Sequence, residues 1–467
     1  MSSKTPIYDA LVRHSEKSRW SFHVPGHKNG KIGIGQHFSS ILPLDLTELT
    51  GLDDLHEATG IIDEAQRLTA LFYGANHSYF LVGGSTAGNL VMLLSAFQEG
   101  DAVLVQRNCH KSIINGLHLA KLRPVFITPQ IDPIGKFATG VTLSTVEKAF
   151  QQYPEVKGLV LTNPNYYGMS MDLSQIVQFM HLKGLPVLVD EAHGAHFGID
   201  DRFPTSALSY GADLVVQSAH KTLPAMTMGS YLHSNSSIID EEKIKYYLQA
   251  VQSSSPSYPI MASLDLARAY LESLTEQRIS RILSQISSFR QGLNDIPQIK
   301  VVGASCNCQM DPLKITVQSR CCLSGYQLQE RLEASGIFTE LADPYNVLFV
   351  MPLGEISQMD VLLQTIKSIL ANERVIEIDC LKTNSSETIS MLELSYQEML
   401  SRKSVDRPIA EAKGDIAAES VIPYPPGVPL IVKGERITKE MIDTYHHLLK
   451  MGARFQGCHH GQLKVYI

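Results

Sequence analysis

Four short clusters combine residue types suited to an anion, a flat ring, a buried cation and a carbonyl carbon. Gly83-Gly84-Ser85-Thr86-Ala87-Gly88-Asn89 follows an apolar run and opens a helical pattern. Glycines at such a turn let backbone N–H groups approach an anion, hydroxyls add donors, and the helix N-terminus adds positive potential. Asn108-Cys109-His110-Lys111-Ser112 places an imidazole where it could stack on a planar ring or simply start a helix. Asp190-Glu191-Ala192-His193 comes directly after Pro186-Val187-Leu188-Val189. A carboxylate ending a buried strand is costly unless it meets a partner. A protonated ring nitrogen is one such partner; a helix cap or a magnesium site are others. Ser218-Ala219-His220-Lys221 again follows a strand. A desolvated lysine on that rim, near a phosphate and an aromatic aldehyde, can form a Schiff base, with Ser218 and His220 as phosphate donors beside it.

The elements that must position these clusters follow the alternation of a doubly wound α/β domain from about residue 60 to 235. The patterning predicts strands at Tyr79 to Val82, Ala102 to Val105, Pro124 to Thr128, Leu159 to Thr162, Pro186 to Val189 and Leu214 to Val216. Their near-continuous apolar character suits a mostly parallel sheet covered on both faces. Helices are expected at Asp63 to Tyr73, stopped by Gly74, and at Ala87 to Phe97, with Ser144-x-x-Glu147 as a capping box. All four clusters then sit at carboxyl ends of strands, where open α/β sheets bind ligands. Helical periodicity runs from Glu241 to Leu293, a smaller α/β segment extends to about residue 375, and residues 376 to 410 read as polar and mostly helical. Val421 to Pro429 is too proline-rich for a central strand. The division expected is an N-terminal segment at 1–60, a large domain at 61–255, a smaller α/β domain at 256–375 and a C-terminal α+β domain at 376–467.

A chain of 467 residues, 44% hydrophobic and 19% charged, can bury a large core. A net charge of −7 without a Lys/Arg block gives no footprint for nucleic acid or an anionic membrane. No apolar run has the length of a membrane span, and the N-terminus lacks a signal-like apolar region, so the expected location is cytoplasmic. Seven cysteines, including Cys306-x-Cys308, Cys321-Cys322 and Cys458-His459-His460, show neither a disulfide framework nor finger-type spacing, and no metal site is expected.

Taken in order, an anion-binding turn, a stacking His, an acidic strand end and a rim lysine resemble the fold-type-I pyridoxal-phosphate (PLP) enzymes of the aminotransferase-like fold. Within them the chain resembles the ornithine/lysine/arginine decarboxylase family, in its short bacterial form. The matches are Phe22-His23-Val24-Pro25-Gly26-His27-Lys28, Gly84-Ser85-Thr86-Ala87, Arg107-Asn108-Cys109-His110-Lys111-Ser112, Thr162-Asn163-Pro164-Asn165-Tyr166-Tyr167-Gly168, Asp190-Glu191-Ala192-His193, Ser218-Ala219-His220-Lys221 and Tyr424-Pro425-Pro426-Gly427. The last of these separates the family from generic aminotransferases.

The resemblance implies that Lys221 carries the cofactor, Asp190 pairs with its ring nitrogen and His110 stacks on the ring. Ser85, Thr86, Ala87, Ser218 and His220 would surround the phosphate. His193 stands where the large inducible bacterial members carry Trp, which puts that contact in question. Those members also have an extra N-terminal assembly domain, so their large rings are not expected. The activity implied is decarboxylation of arginine, lysine or ornithine, with arginine favoured, in polyamine metabolism. Other PLP reactions (transamination or aldol cleavage) and a non-catalytic member are the alternatives. Glu340, Asp343, Asp45, Glu48, Asp53 and Asp54 are candidate receptors for a basic side chain. A homodimer, or a small multiple of it, is expected, with the N-terminal segment reaching the partner.

Overall fold

A computed structural model describes residues 3–17, 20–33, 35–304, 308–376, 388–423 and 427–467; Cys306, Cys380 and Tyr424-Pro425-Pro426 lie outside them. The chain forms two compact units, Met1–Ala96 with His181–Ile279, and Phe97–Met180 with Ser280–Ile467.

In the first unit four strands lie in the order His77–Leu81, Ser230–Ser234, Leu214–Gln217, Val187–Asp190. The first two pairings are antiparallel and the last is parallel. Leu214–Gln217 and Val187–Asp190 are buried at every position, as an apolar run covered on both faces requires. The helix Ile61–Tyr73 ends where Gly74 takes a left-handed φ of 67°, the turn predicted from sequence. The helix Gly84–Ala96 packs so close that a Cβ on Gly88 would lie 2.7 Å from Leu81 Cδ1 and 2.8 Å from Val216 Cγ2. Only glycine permits that approach. It brings the helix N-terminus down onto the strand ends that carry Asp190 and Ser218.

In the second unit Ala102–Gln106 lies between Leu159–Thr162 and Arg123–Ile127, parallel to both, and Ile389–Met391 adds antiparallel to Arg123–Ile127. A four-stranded antiparallel sheet follows in the order Leu341–Ala342, Asn346–Val350, Lys314–Ser319, Ile299–Val301. A small C-terminal sheet, Ser404–Pro408, Gln462–Tyr466 and Ile416–Ala417, closes over its own core of Ile409, Val421, Ile431, Ile442, Leu463 and Val465.

Two local expectations are corrected. The helix Leu143–Gln152 is capped by Thr142, whose hydroxyl accepts from Thr145 N, so Ser144 lies inside the first turn and is not the cap. The described part of 376–410 is not mostly helical. It holds the strand Ile389–Met391, a six-residue helix at Tyr396–Ser401 and the strand Ser404–Pro408. There the Ser395–Glu398 capping box starts a helix that soon stops, while edge pairing satisfies the neighbouring backbone.

The first unit is stapled by a buried ion pair. Arg268 and Asp265 are fully buried and 2.8 Å apart. Arg268 also reaches Glu272 at 2.9 Å and the Lys4 carbonyl, and Asp265 accepts from Ile7 N at 3.0 Å. The pair thereby ties the helix Pro6–Lys17 to the helix Tyr258–Glu272. Arg268→Met should cost about 3–5 kcal/mol in denaturant unfolding, because Asp265 would keep an uncompensated buried charge. A loss under about 1 kcal/mol contradicts this role.

Candidate active site

Three of the four sequence clusters meet in the first unit. Gly84, at φ 73°, turns the chain into the helix Gly84–Ala96, so the N–H groups of its first turn have no helical acceptor. Ser85 Oγ lies 2.6 Å from Ser218 Oγ and donates to Ser230 Oγ at 3.4 Å. Three hydroxyls and a helix N-terminus from three separate elements thus converge, the donor set of a phosphate site. Thr86 is exposed and Ala87 buried on the same turn. His220 Nδ1 donates to the Gly229 carbonyl at 3.0 Å, which fixes its ring and its tautomer.

Asp190 ends its strand buried. Its Oδ2 accepts from Asn89 Nδ2 at 2.9 Å, and Oδ1 accepts from Ala192 N at 3.2 Å. Both donors are neutral. A buried carboxylate held this way favours a cation and is oriented in advance for one.

Lys221 sits in the one-turn helix Ala219–Thr222 that follows Leu214–Gln217. Its Nζ lies 3.1 Å from His193 Nε2. The amine from one strand exit therefore meets the imidazole from the next. Thr222 Oγ1, beside it in sequence, is buried without a hydrogen-bond partner among the described residues.

Beneath these groups runs a buried polar chain that the sequence reading left without a role. Glu191 accepts from Ser206 Oγ at 2.7 Å, Ala207 N at 2.7 Å and Gln217 Nε2 at 2.6 Å. Gln217 Oε1 meets His233 Nε2 at 3.1 Å, and His233 Nδ1 meets Ser78 Oγ at 2.7 Å. Burial holds His233 down to about 3, so its ring is neutral. The amide oxygen then requires Nε2–H to donate, leaving Nδ1 to accept from Ser78. Burial pushes Glu191 up to about 7 despite its three donors. Asn89 was visible in the first cluster as a polar residue on an apolar helix, and Gln217 as a polar end to a buried strand.

His110 belongs to the second unit. It caps the helix Lys111–Leu119, its Nδ1 accepting from Ser112 N at 3.2 Å and lying 2.8 Å from Ser112 Oγ. Arg107, three residues earlier, is locked by Glu435 at 2.9 and 3.1 Å and by the Pro429 carbonyl at 2.8 Å. The loop bearing His110 is thus anchored to the segment that follows Gly427.

Four of the acidic residues proposed as receptors are already engaged. Asp53 accepts from the N–H groups of Thr59, Gly60 and Ile62, which pull its carboxyl below the usual range against the opposing effect of burial. Asp45 pairs with His27 at 3.2 Å and Asp54 caps His56 N at 2.8 Å. Asp343 is raised by burial and held by Tyr167 Oη at 2.6 Å and Asn346 Nδ2 at 2.8 Å. Glu340 is exposed, 3.3 Å from Tyr166 Oη, and Glu48 Oε1 is buried without a partner among the described residues.

Comparison with known proteins identifies the family. The family model "Orn/Lys/Arg decarboxylase, major domain" matches residues 5–309, and its C-terminal domain matches residues 381–461. The chain belongs to the Orn/Lys/Arg decarboxylase family. Among relatives of this family, the uncharacterized protein YaaO of Bacillus subtilis is 47% identical, covering 99% of this chain and 98% of that protein. The arginine decarboxylase of Bacillus anthracis is 34% identical over 97% of this chain and 95% of its own length. Among solved structures, the constitutive lysine decarboxylase of E. coli superposes with a TM-score of 0.81 at 21% identity, covering 99% of this chain and 82% of that one. A serine palmitoyltransferase from Sphingomonas wittichii follows at 0.56 and 18%, over 79% of this chain and 84% of that one. The fold of this decarboxylase-family chain is the aminotransferase-like fold type I, with a mostly parallel sheet and a C-terminal domain. Among the described residues no helix is long and apolar enough to cross a membrane.

Whether these hydroxyls and N–H groups bind an anion has a direct test. At matched ionic strength, inorganic phosphate should raise the melting temperature of the purified chain above its value in chloride. The double variant Ser85→Ala with Ser218→Ala should lose at least about half of that rise. An unchanged rise would place the phosphate elsewhere.

Proposed function

We propose that this chain is a PLP-dependent decarboxylase of a basic amino acid, with arginine favoured over lysine and ornithine, acting in polyamine metabolism. The observation that carries the reading is the convergence of Lys221, Asp190 and the Ser85–Ser218 hydroxyls on one rim. Their chemistry fits pyridoxal phosphate group by group: an amine for an aldehyde, a buried carboxylate for a ring cation, and hydroxyls at a helix N-terminus for a phosphate. The buried, unpartnered Thr222 Oγ1 beside the lysine leaves one more donor for a bound group. Bound pyridoxal phosphate would supply the electron sink for the pair left behind when the α-carboxylate departs.

The chain's own residues would do the rest. Asp190, oriented by Asn89 and Ala192 N, keeps a ring nitrogen cationic in a dry site. Ser85, Thr86, Ala87 N–H, Ser218 and His220 hold the phosphate. Lys221 Nζ and His193 Nε2, 3.1 Å apart, hold a proton between them and can return one to the substrate carbon. Among the acidic residues of the first unit weighed as receptors, Glu48 keeps acceptor capacity for a basic side chain.

The preference for arginine rests on relatives. Two arginine decarboxylases, from Bacillus anthracis and Bacillus subtilis, are 34% and 33% identical over 95% of their lengths. The lysine decarboxylase LdcA of Pseudomonas aeruginosa is 26% identical over 74% of its length. A homodimer fits the N-terminal segment, where Trp20, Phe22 and Val24 stand 80%, 92% and 64% exposed, a cost in water that a second copy would remove.

A panel of amino acids incubated with the protein and pyridoxal phosphate tests the reading. Carbon dioxide should be released from arginine at least about tenfold faster, by kcat/KM, than from lysine or ornithine. Keto-acid formation without carbon dioxide, or no turnover of any basic amino acid, contradicts it.

A further inference from the structure

Glu191 is a fully buried acid next to the carboxylate proposed to hold the cofactor, and the chemistry described above gives it no task. Its surroundings are built around it. A Cβ on Gly194 would lie 2.6 Å from Glu191 Cγ, so the glycine makes room for this side chain. Ser206 and Ala207 N fix the carboxylate from one side and Gln217 from another. Gln217 also donates to the Gly194 carbonyl at 3.4 Å, on the same turn as His193. Its Oε1 is pinned by His233, and His233 by Ser78, so neither partner can rotate without breaking a buried hydrogen bond.

We propose that Glu191 is a positioning residue: through Gln217 it locks the turn after Asp190 to the turn that carries Ser218 and Lys221. Two backbone bonds run alongside, Glu191 N to the Val216 carbonyl at 2.9 Å and Ser218 N to the Ala192 carbonyl at 3.3 Å. They fix the spacing of the two strand exits. The side-chain link fixes the exits' rotation, and hence where His193 meets Lys221 at 3.1 Å. An amide and a carboxylate are the natural pair for this link. The amide donates to the acid on one edge and accepts from a neutral imidazole on the other, so every buried polar atom along the line is served.

The proposal rests on the reading of Lys221 as the lysine that carries pyridoxal phosphate, and its test separates the two. Gln217→Met keeps the volume and breaks the link. The swap of Glu191→Gln with Gln217→Glu restores one acid and one amide across the same contact. Three quantities are measured on the full chain: affinity for pyridoxal phosphate, the pH midpoint at which its visible absorbance band titrates, and the melting temperature without cofactor. Gln217→Met should bind pyridoxal phosphate about tenfold more weakly and move the midpoint; its cofactor-free melting temperature should also fall, because Glu191 and His233 each lose a buried partner, so the swap is what separates positioning from stability. The swap should return both cofactor readouts close to wild type.

Wild-type affinity and midpoint in Gln217→Met overturn the proposal. So does a loss of affinity that follows the melting temperature and is not rescued by the swap, because that marks a purely structural role. If the wild-type chain forms no visible band with pyridoxal phosphate, the reading of Lys221 fails, and this proposal falls with it.

Discussion

A carboxylate taken out of water must be repaid, and the Asp190 side chain makes that demand at the centre of the first unit. It is buried and receives neutral N–H donors from Asn89 and Ala192, which orient its oxygens but leave its charge without a counterion among the described residues. Such a group is costly to bury without a cation beside it. Much of the surrounding architecture sets its orientation. Asn89 can reach the acid only because the helix Gly84–Ala96 lies against the strands, and it lies there because Gly88 has no side chain. The same close packing delivers the helix N-terminus beside Ser218, so one steric fact supplies both the cluster of N–H and hydroxyl donors and the orientation of the carboxylate.

Strand order does the remaining placement. Val187–Asp190 and Leu214–Gln217 are parallel neighbours, so their carboxyl ends leave the sheet on the same rim. Asp190 to His193 and Ser218 to Lys221 are therefore brought together by backbone geometry before any side chain is chosen. The buried line from Glu191 to Ser78 then crosses all four strands of the unit, a polar interior that is tolerable only because each group finds a partner.

Much of this was legible in the sequence for a physical reason. Buried parallel strands read as short apolar runs, and what stands at their ends is conspicuous because it breaks the run: Asp190 after Val189, Gln217-Ser218 after Val216. The strand at Leu159–Thr162 falls where it was expected, and the others shift by one or two residues at their ends. What did not show was anything that depends on partners distant in sequence. Asp53 and Asp343 looked available to a basic substrate because composition cannot reveal that backbone N–H groups, or Tyr167 and Asn346, already occupy them. The strand Ile389–Met391 was hidden in the same way, since an edge strand of three residues is defined by its pairing with Arg123–Ile127 and is too short to show a pattern of its own. Ser144 misled because its spacing to Glu147 suits a cap, whereas Thr142 is the residue whose backbone leaves the helix.

The account stands or falls on Lys221 as the amine that takes up the cofactor. Pyridoxal phosphate should be added to the purified chain, the adduct fixed with borohydride, and the digest searched by mass spectrometry for the reduced pyridoxyl group. The account predicts a single modified peptide, containing Ser218-Ala219-His220-Lys221 with the label on Lys221. A stoichiometric label on another lysine, or none at all, would contradict it.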